Sequence, residues 1–225
     1  MSEALYMKIK FLCILVWAIL GLALSTASWA QEENKPFIRN QRLIVDPVPL
    51  NLEQITLFAD RVFTGIPVKR EKKIDSNTNI PIVEYTFKIT EVIKDSQKKI
   101  SNKNHVVFRQ WKPITGDVDF NSNKKYVVFL NPNSKIGLTS TVGLWQGQFE
   151  VEEQKINGTR IEFVKNRLSN KGLGRNLKTQ QKISIEEDKV LNDYILRSSE
   201  AGQPIKYREF VKSIKAIEKK NRRRS

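Results

Sequence analysis

Val83-Glu84-Tyr85-Thr86-Phe87-Lys88-Ile89 alternates apolar and polar residues without a break. A period of two marks a strand with one buried face, so the stretch predicts a half-buried β-strand. The segments on either side extend the β signal. Val62 to Val68 is β-rich, with Gly65 as an expected bulge or bend. Between them, "REKKIDSNTNIP" from Arg70 to Pro81 reads as a polar loop. "HVVFRQW", His105–Trp111, predicts a third strand. "KYVVFL", Lys125–Leu130, is apolar on both faces and predicts a central strand.

A fifth strand is expected from "TSTVGLWQGQFEVEE", Thr139–Glu153. Its apolar parity changes along the way: Val142 and Leu144 share one face, Phe149 and Val151 the other. A regular strand cannot turn both pairs to one core, but a bend at Gly143 or Gly147 can. Trp145 falls near the change of face and is a candidate for ligand stacking. Asn157-Gly158, between β-rich runs, predicts a tight hairpin. That turn also accounts for the glycan-acceptor pattern Asn157-Gly158-Thr159.

Helical patterns flank the strands. Leu52, Ile55, Leu57, Phe58 and Ala59 mark an apolar face, with Asn51 as cap and Glu53 in the first turn. After the strands, Lys165–Lys182 is rich in glycine and basic residues and contains no acid. Ser184 and Glu187 have capping-box spacing, and Val190, Leu191, Tyr194 and Ile195 give the following helix an apolar face. Gly202-Gln203-Pro204 breaks the chain. A last helix carries Ile205, Phe210, Val211, Ile214 and Ile217 at helical spacing and ends in "KKNRRRS".

The N-terminus reads as an address. Lys8 and Lys10 precede the apolar run Phe11–Leu24, and Ser28-Trp29-Ala30 is a small-x-small cleavage signal. The run is shorter than the ~20 residues a membrane span needs, so a cleaved leader over residues 1–30 is expected, with no transmembrane anchor afterwards. The expected destination is the periplasm or the exterior. Residues 31–50, with three prolines, read as an extended tether. A β-domain over 51–165, a basic loop over 166–183 and a helical pair over 184–225 complete the expected organisation.

Cys13 is the only cysteine and lies in the leader. The mature chain then has no disulfide, thiolate metal site or cysteine nucleophile, which favours bacterial export. The formal charge is +15, nearly all of it beyond the leader. Such a surface favours an anionic glycan, a lipid head group or an acidic protein. Export disfavours nucleic acid as the partner.

Catalytic signals are poor. His105 is the only histidine and heads a strand, and no G-x-S-x-G occurs. Asp117, Asp119, Asn121 and Asn123 resemble the start of a calcium loop. Ser122 then occupies the glycine position and Val128 the glutamate position, so a turn explains the string equally well. No cofactor, metal or catalytic residue is expected.

The pattern resembles a family of uncharacterised exported bacterial domains. Ala59, Asp60, Phe63 and Gly65 match its first strand, and Tyr85, Phe87 and Lys94 its second. Tyr126, Phe129 and Leu130 match its third. Gly143, Leu144, Gln146, Gly147, Phe149 and Val151 match its fourth. The first three strands also resemble the netrin/tissue-inhibitor-of-metalloproteinase type of oligonucleotide/oligosaccharide-binding (OB-like) barrel. That family inhibits proteases through an N-terminal cysteine, which this mature chain lacks. The resemblance implies a five-stranded barrel; with the helices read from the residue pattern, the expected fold is α+β, a small antiparallel OB-like β-barrel with one short N-terminal helix and two C-terminal helices. The expected function is a non-catalytic binding module of the cell envelope, for an anionic polymer or acidic protein. The alternative is a protease-inhibitor-like module without the cysteine mechanism. Candidate ligand-binding residues are Trp145, Trp111, Arg109, Arg70, Lys72, Lys73, Lys171 and Arg175.

Overall fold

A computed structural model of the chain describes residues 49–98, 100, 104–111, 119–175 and 186–223, with no account of the side chains of 186–188. The chain divides into Met1–Arg42 and Leu43–Ser225, and every described residue belongs to the second unit. The leader, most of the tether, Asp117, Ser184 and Arg224 lie outside the described residues, and with Ser184 so does the expected capping box.

The fold is α+β. Strands β1 (Arg61–Ile74), β2 (Pro81–Asp95), β3 (His105–Trp111), β4 (Lys125–Leu130), β5 (Gln148–Ile156), β6 (Thr159–Lys165) and β7 (Ile205–Lys206) form one sheet in the order β3-β2-β1-β4-β5-β6-β7. All neighbouring strands are antiparallel. Three α-helices accompany them among the described residues: α1 (Leu52–Phe58), α2 (Glu186–Glu200) and α3 (Tyr207–Arg222). None of these is long and apolar enough to cross a membrane.

The sheet is not closed into a barrel, which corrects the expectation of a closed one. The reason is β5: it leaves β4 and continues outward to β6 and β7 instead of returning to β3. Among the described residues, the outer edge of β3 receives only an isolated parallel bridge, Arg109 to Leu138.

Both faces of the sheet are buried near its centre. Tyr126, Val128 and Leu130 of β4 join one core, with Phe63, Val83, Tyr85, Phe87, Val106 and Phe108. Phe120 fills this core, edge-on to Phe87 at 4.9 Å and to Tyr85 and Tyr126 at 5.2 Å. Val127 and Phe129, the alternate residues of β4, face a second core with Phe149, Val164, Leu52, Ile55, Phe210 and Ile214. The continuous apolar run of β4 therefore serves two cores, as a central strand requires. α3 docks on the second core through Phe210 and Ile214, with Ile217 packed against it.

Local chemistry sets the ends of the elements. Asn51 caps α1 in a reciprocal box with Gln54. Asn157 and Gly158 both hold positive φ, 49° and 80°, as a tight hairpin turn demands. Gly65 sits at a register shift in β1.

Several elements depart from the sequence reading. Arg70–Ile74 is strand, not loop, because it pairs through to Pro81 of β2. The turn is shorter, Asp75 to Ile80, with the Asp75 carboxylate accepting from the backbone of Asn77 and Thr78. β7 forms just after the Gly202 break, pairing with Phe163 and Val164. On α2, Val190 is exposed, and Ile195 and Leu196 are the buried pair. Leu57 and Phe58 of α1 are exposed as well.

Candidate ligand-binding cleft

The chain between β4 and β5, Asn131 to Gly147, carries no strand. It folds by hydrogen bonding to itself and to β3. Asn131 N–H donates to the Ser140 carbonyl at 2.9 Å, and the Thr139 hydroxyl donates to the Asn131 carbonyl at 2.6 Å. Thr139 N–H donates to the Arg109 carbonyl at 2.8 Å, which ties the loop to β3. Val142 N–H donates to the Phe129 carbonyl at 2.9 Å, which ties it to β4.

The loop ends in the glycine pair. Gly143 holds φ +58°, and a Cβ there would lie 2.8 Å from Leu50 Cδ1. A Cβ on Gly147 would lie 2.7 Å from the Val142 carbonyl oxygen, a backbone atom that cannot swing aside. Between them Leu144–Gly147 forms a single turn of 3-10 helix, so β5 begins only at Gln148. The expected strand over Thr139–Gln148 is thus a turn, and Val142 and Leu144 do not share a buried face: Val142 is buried and Leu144 is 42% exposed.

This loop, β2 and β3 enclose a cleft of about 490 Å³. β2 contributes Val83 and Tyr85, β3 contributes Gln110 and Trp111, and the loop contributes Pro132, Leu138 and Leu144 with the polar groups of Asn131, Ser134, Thr139, Ser140 and Thr141. The volume lies within the ~300–1,000 Å³ typical of ligand pockets. Trp111 is 55% exposed at the rim. Leu144 holds φ +60°, a conformation that bulky residues rarely adopt.

Tyr85 is the one ionisable side chain among the lining residues. Burial first, and its hydrogen bond to Asp119 second, raise its pKa well above the usual tyrosine value, so it stays protonated. Its hydroxyl donates to Asp119 Oδ1 at 2.6 Å. Arg70 clasps the same carboxylate through two bonds of 2.7 Å. Three of the four residues of the calcium-like string are described, and they are engaged otherwise: Asp119 holds Arg70 and Tyr85, and Asn121 accepts from Asn123 N–H. Among the described residues no group of three or more His, Cys, Asp and Glu gathers to hold a metal. His105 sits exposed at the start of β3.

The predicted site residues fall into separate places. Trp111 lines the cleft. Arg70, Lys72, Lys73 and Arg109 are not among its lining residues: Arg70 and Lys72 stand opposite Tyr85 and Val83 in register, Lys73 and Arg109 gather at Glu84 on the other face of the sheet, and three of the four are ion-paired. Lys73 meets Glu84 at 2.6 Å and Glu71 at 3.0 Å. Arg109 meets Glu84 at 3.0 Å and Asp75 at 3.8 Å. The hydrogen bond from Lys73, with help from Arg109, holds the Glu84 carboxyl below its usual pKa despite the opposing effect of burial. Lys72 is exposed, opposite Val83 in register.

Lys171 and Arg175 lie in another part of the fold. Arg175 donates to the Pro49 carbonyl, and its loop is pinned by Asn166 and Asn170, which exchange backbone-to-side-chain bonds of 3.0 and 2.9 Å. Leu173 is buried there. Trp145 is half-buried between the two places: Leu144 before it lines the cleft, and Gln146 after it accepts from Leu50 N–H at 2.6 Å.

Sequence reasoning missed Tyr85, Leu138, Thr139 and Leu144 as cleft residues. The expected strand from Thr139 hid the signal: the connection from Asn131 to Gly147 carries no strand, and connections of more than about 12 residues inside a compact domain are commonly functional. No family model matches the chain, and comparison with curated proteins finds no match.

Proposed function

We propose that this protein is an exported, non-catalytic binding module of the cell envelope that holds the apolar part of its ligand in the cleft beneath Trp111. The observation that carries this reading is the lining of the cleft: among the described residues it is made of apolar side chains with hydroxyl and amide groups, and none of these residues brings a carboxylate, imidazole or amine. Such a surface can desolvate and orient a ligand. General acid–base work needs a group titrating near the operating pH, and Tyr85 is pushed away from that range. The expectation of a polyanion at this end is weakened, because Arg70, Lys73 and Arg109 are paired with carboxylates. We read the β1–β4 half, coiled around Phe120, as an opened relative of the OB-like barrel, whose members bind extended ligands across one face. The ligand class is an amphipathic molecule with an acyl or aromatic group.

A neutral apolar dye, N-phenyl-1-naphthylamine, should bind saturably with a rise in fluorescence. Leu138→Arg is expected to weaken binding at least about tenfold, as loss of the ~1.4 kcal/mol that tenfold represents. Trp111→Ala should weaken it by a smaller factor, with the melting temperature of both variants unchanged. Equal affinity in wild type and both variants would sink the cleft as the site.

A further inference from the structure

Part of the excess positive charge of this chain is arranged as a regular row on α3. That helix carries six cations against two acids. Arg208, Lys212, Lys215, Lys219 and Arg222 recur three or four residues apart, so they line one side of the helix. The stripe extends about 21 Å at ~1.5 Å per residue. Arg208, Lys212, Lys215, Lys219 and Arg222 are exposed, while Phe210, Val211, Ser213 and Ile214 face the core. Glu218, one of the two acids, turns inward to Lys94 at 2.7 Å and does not neutralise the stripe. Lys212 pairs with Glu209 at 3.3 Å and Lys215 with Glu91 at 2.9 Å. Among the described residues neither Arg208 nor Lys219 makes a salt bridge.

We infer that the outer face of α3 is a docking surface for a linear acidic glycan. A long row of like charges suits a chain that carries anionic groups at intervals. The face lacks what other polyanions exploit. It presents no aromatic ring for a nucleobase to stack on, because Tyr207 is tied to Thr64 and Glu91 and Phe210 is buried. It also presents no apolar side chain to enter a bilayer, because the apolar side of the helix is spent on the core. This surface shares no residue with the cleft, so the inference stands apart from the function proposed above.

The test uses the full chain and heparin as the probe. Arg208→Gln with Lys219→Gln is expected to lower heparin affinity about tenfold near physiological salt. It should also flatten the dependence of log K on log salt by about two, one for each lost charge contact. A control of equal charge change, Lys72→Gln with Lys171→Gln, should stay within about twofold of wild type. Leu138→Arg should bind heparin normally, which separates this surface from the cleft. Both helix positions are exposed, so an unchanged melt is expected and is checked first. Unaltered affinity and slope in the α3 variant overturn the inference, and so does an equal loss in the control. Tighter binding to single-stranded DNA or to vesicles rich in phosphatidylglycerol, dependent on the same two residues, overturns the glycan assignment.

Discussion

Phe210→Ala should cost about 3–5 kcal/mol of folding stability, the usual range for deleting a fully buried phenylalanine. Phe210 joins α3 to the sheet. Its ring centre lies 4.7 Å from that of Phe149 and 6.1 Å from that of Phe129, and the side chain is fully buried. Both partners are also fully buried, on β5 and β4, so neither can relax outward to fill the space. The cost therefore combines lost transfer energy with a residual cavity. Denaturant unfolding followed by circular dichroism would measure it. Because α3 also carries the cationic stripe, the same variant should bind heparin less well, whereas Arg208→Gln with Lys219→Gln should leave stability intact. A loss below about 1 kcal/mol for Phe210→Ala would mean that α3 is not fastened by this contact.

Glu218→Ala should destabilise the protein by about 3 kcal/mol or more, because it strands a charge. Lys94 Nζ lies 2.7 Å from the Glu218 carboxylate and donates to the Thr56 carbonyl at 2.9 Å. The lysine side chain is 6% exposed and the glutamate 13%. One interaction thus joins the end of α1, β2 and the second half of α3. Removing the acid leaves an ammonium with a single carbonyl partner in a poorly solvated place. Replacing both residues, Lys94→Met with Glu218→Leu, removes the stranded charge and should recover most of the loss. If the single substitution proves neutral, the pair is effectively hydrated.

Much of the fold could be read from residue order, where one residue's neighbours settle its environment. The alternation around Tyr85, the two-sided run of β4, the Asn51 cap and the Asn157-Gly158 turn are local signals, and each element formed where its signal lay. The failures involve partners distant in the chain. Arg70–Ile74 reads as loop because it is charged, yet pairing with Pro81–Tyr85 makes it strand. Closure of the sheet was not readable, because it depends on where β5 goes and not on any one strand. The site behaved alike. Trp111 stood out as an aromatic ending a strand, and it does line the cleft. The candidate cations were counted as available charge, because their acids arrive from other segments: Asp119 for Arg70, and Glu84 for Lys73 and Arg109. The glycines flanking Leu144-Trp145-Gln146 were readable as a bend, but the residue they aim at the cleft is Leu144 and not Trp145.

In the proposed function, ligand enters the cleft between β2, β3 and the β4–β5 loop. The most direct measurement is a map of amide and indole shifts in nitrogen–proton correlation spectra as N-phenyl-1-naphthylamine is added. The largest changes are expected at Leu138, Thr139, Thr141, Leu144 and the Trp111 indole, with Lys171, Arg175 and α3 unmoved. Shifts concentrated on α3 or around Arg175, with the cleft residues unchanged, would contradict it.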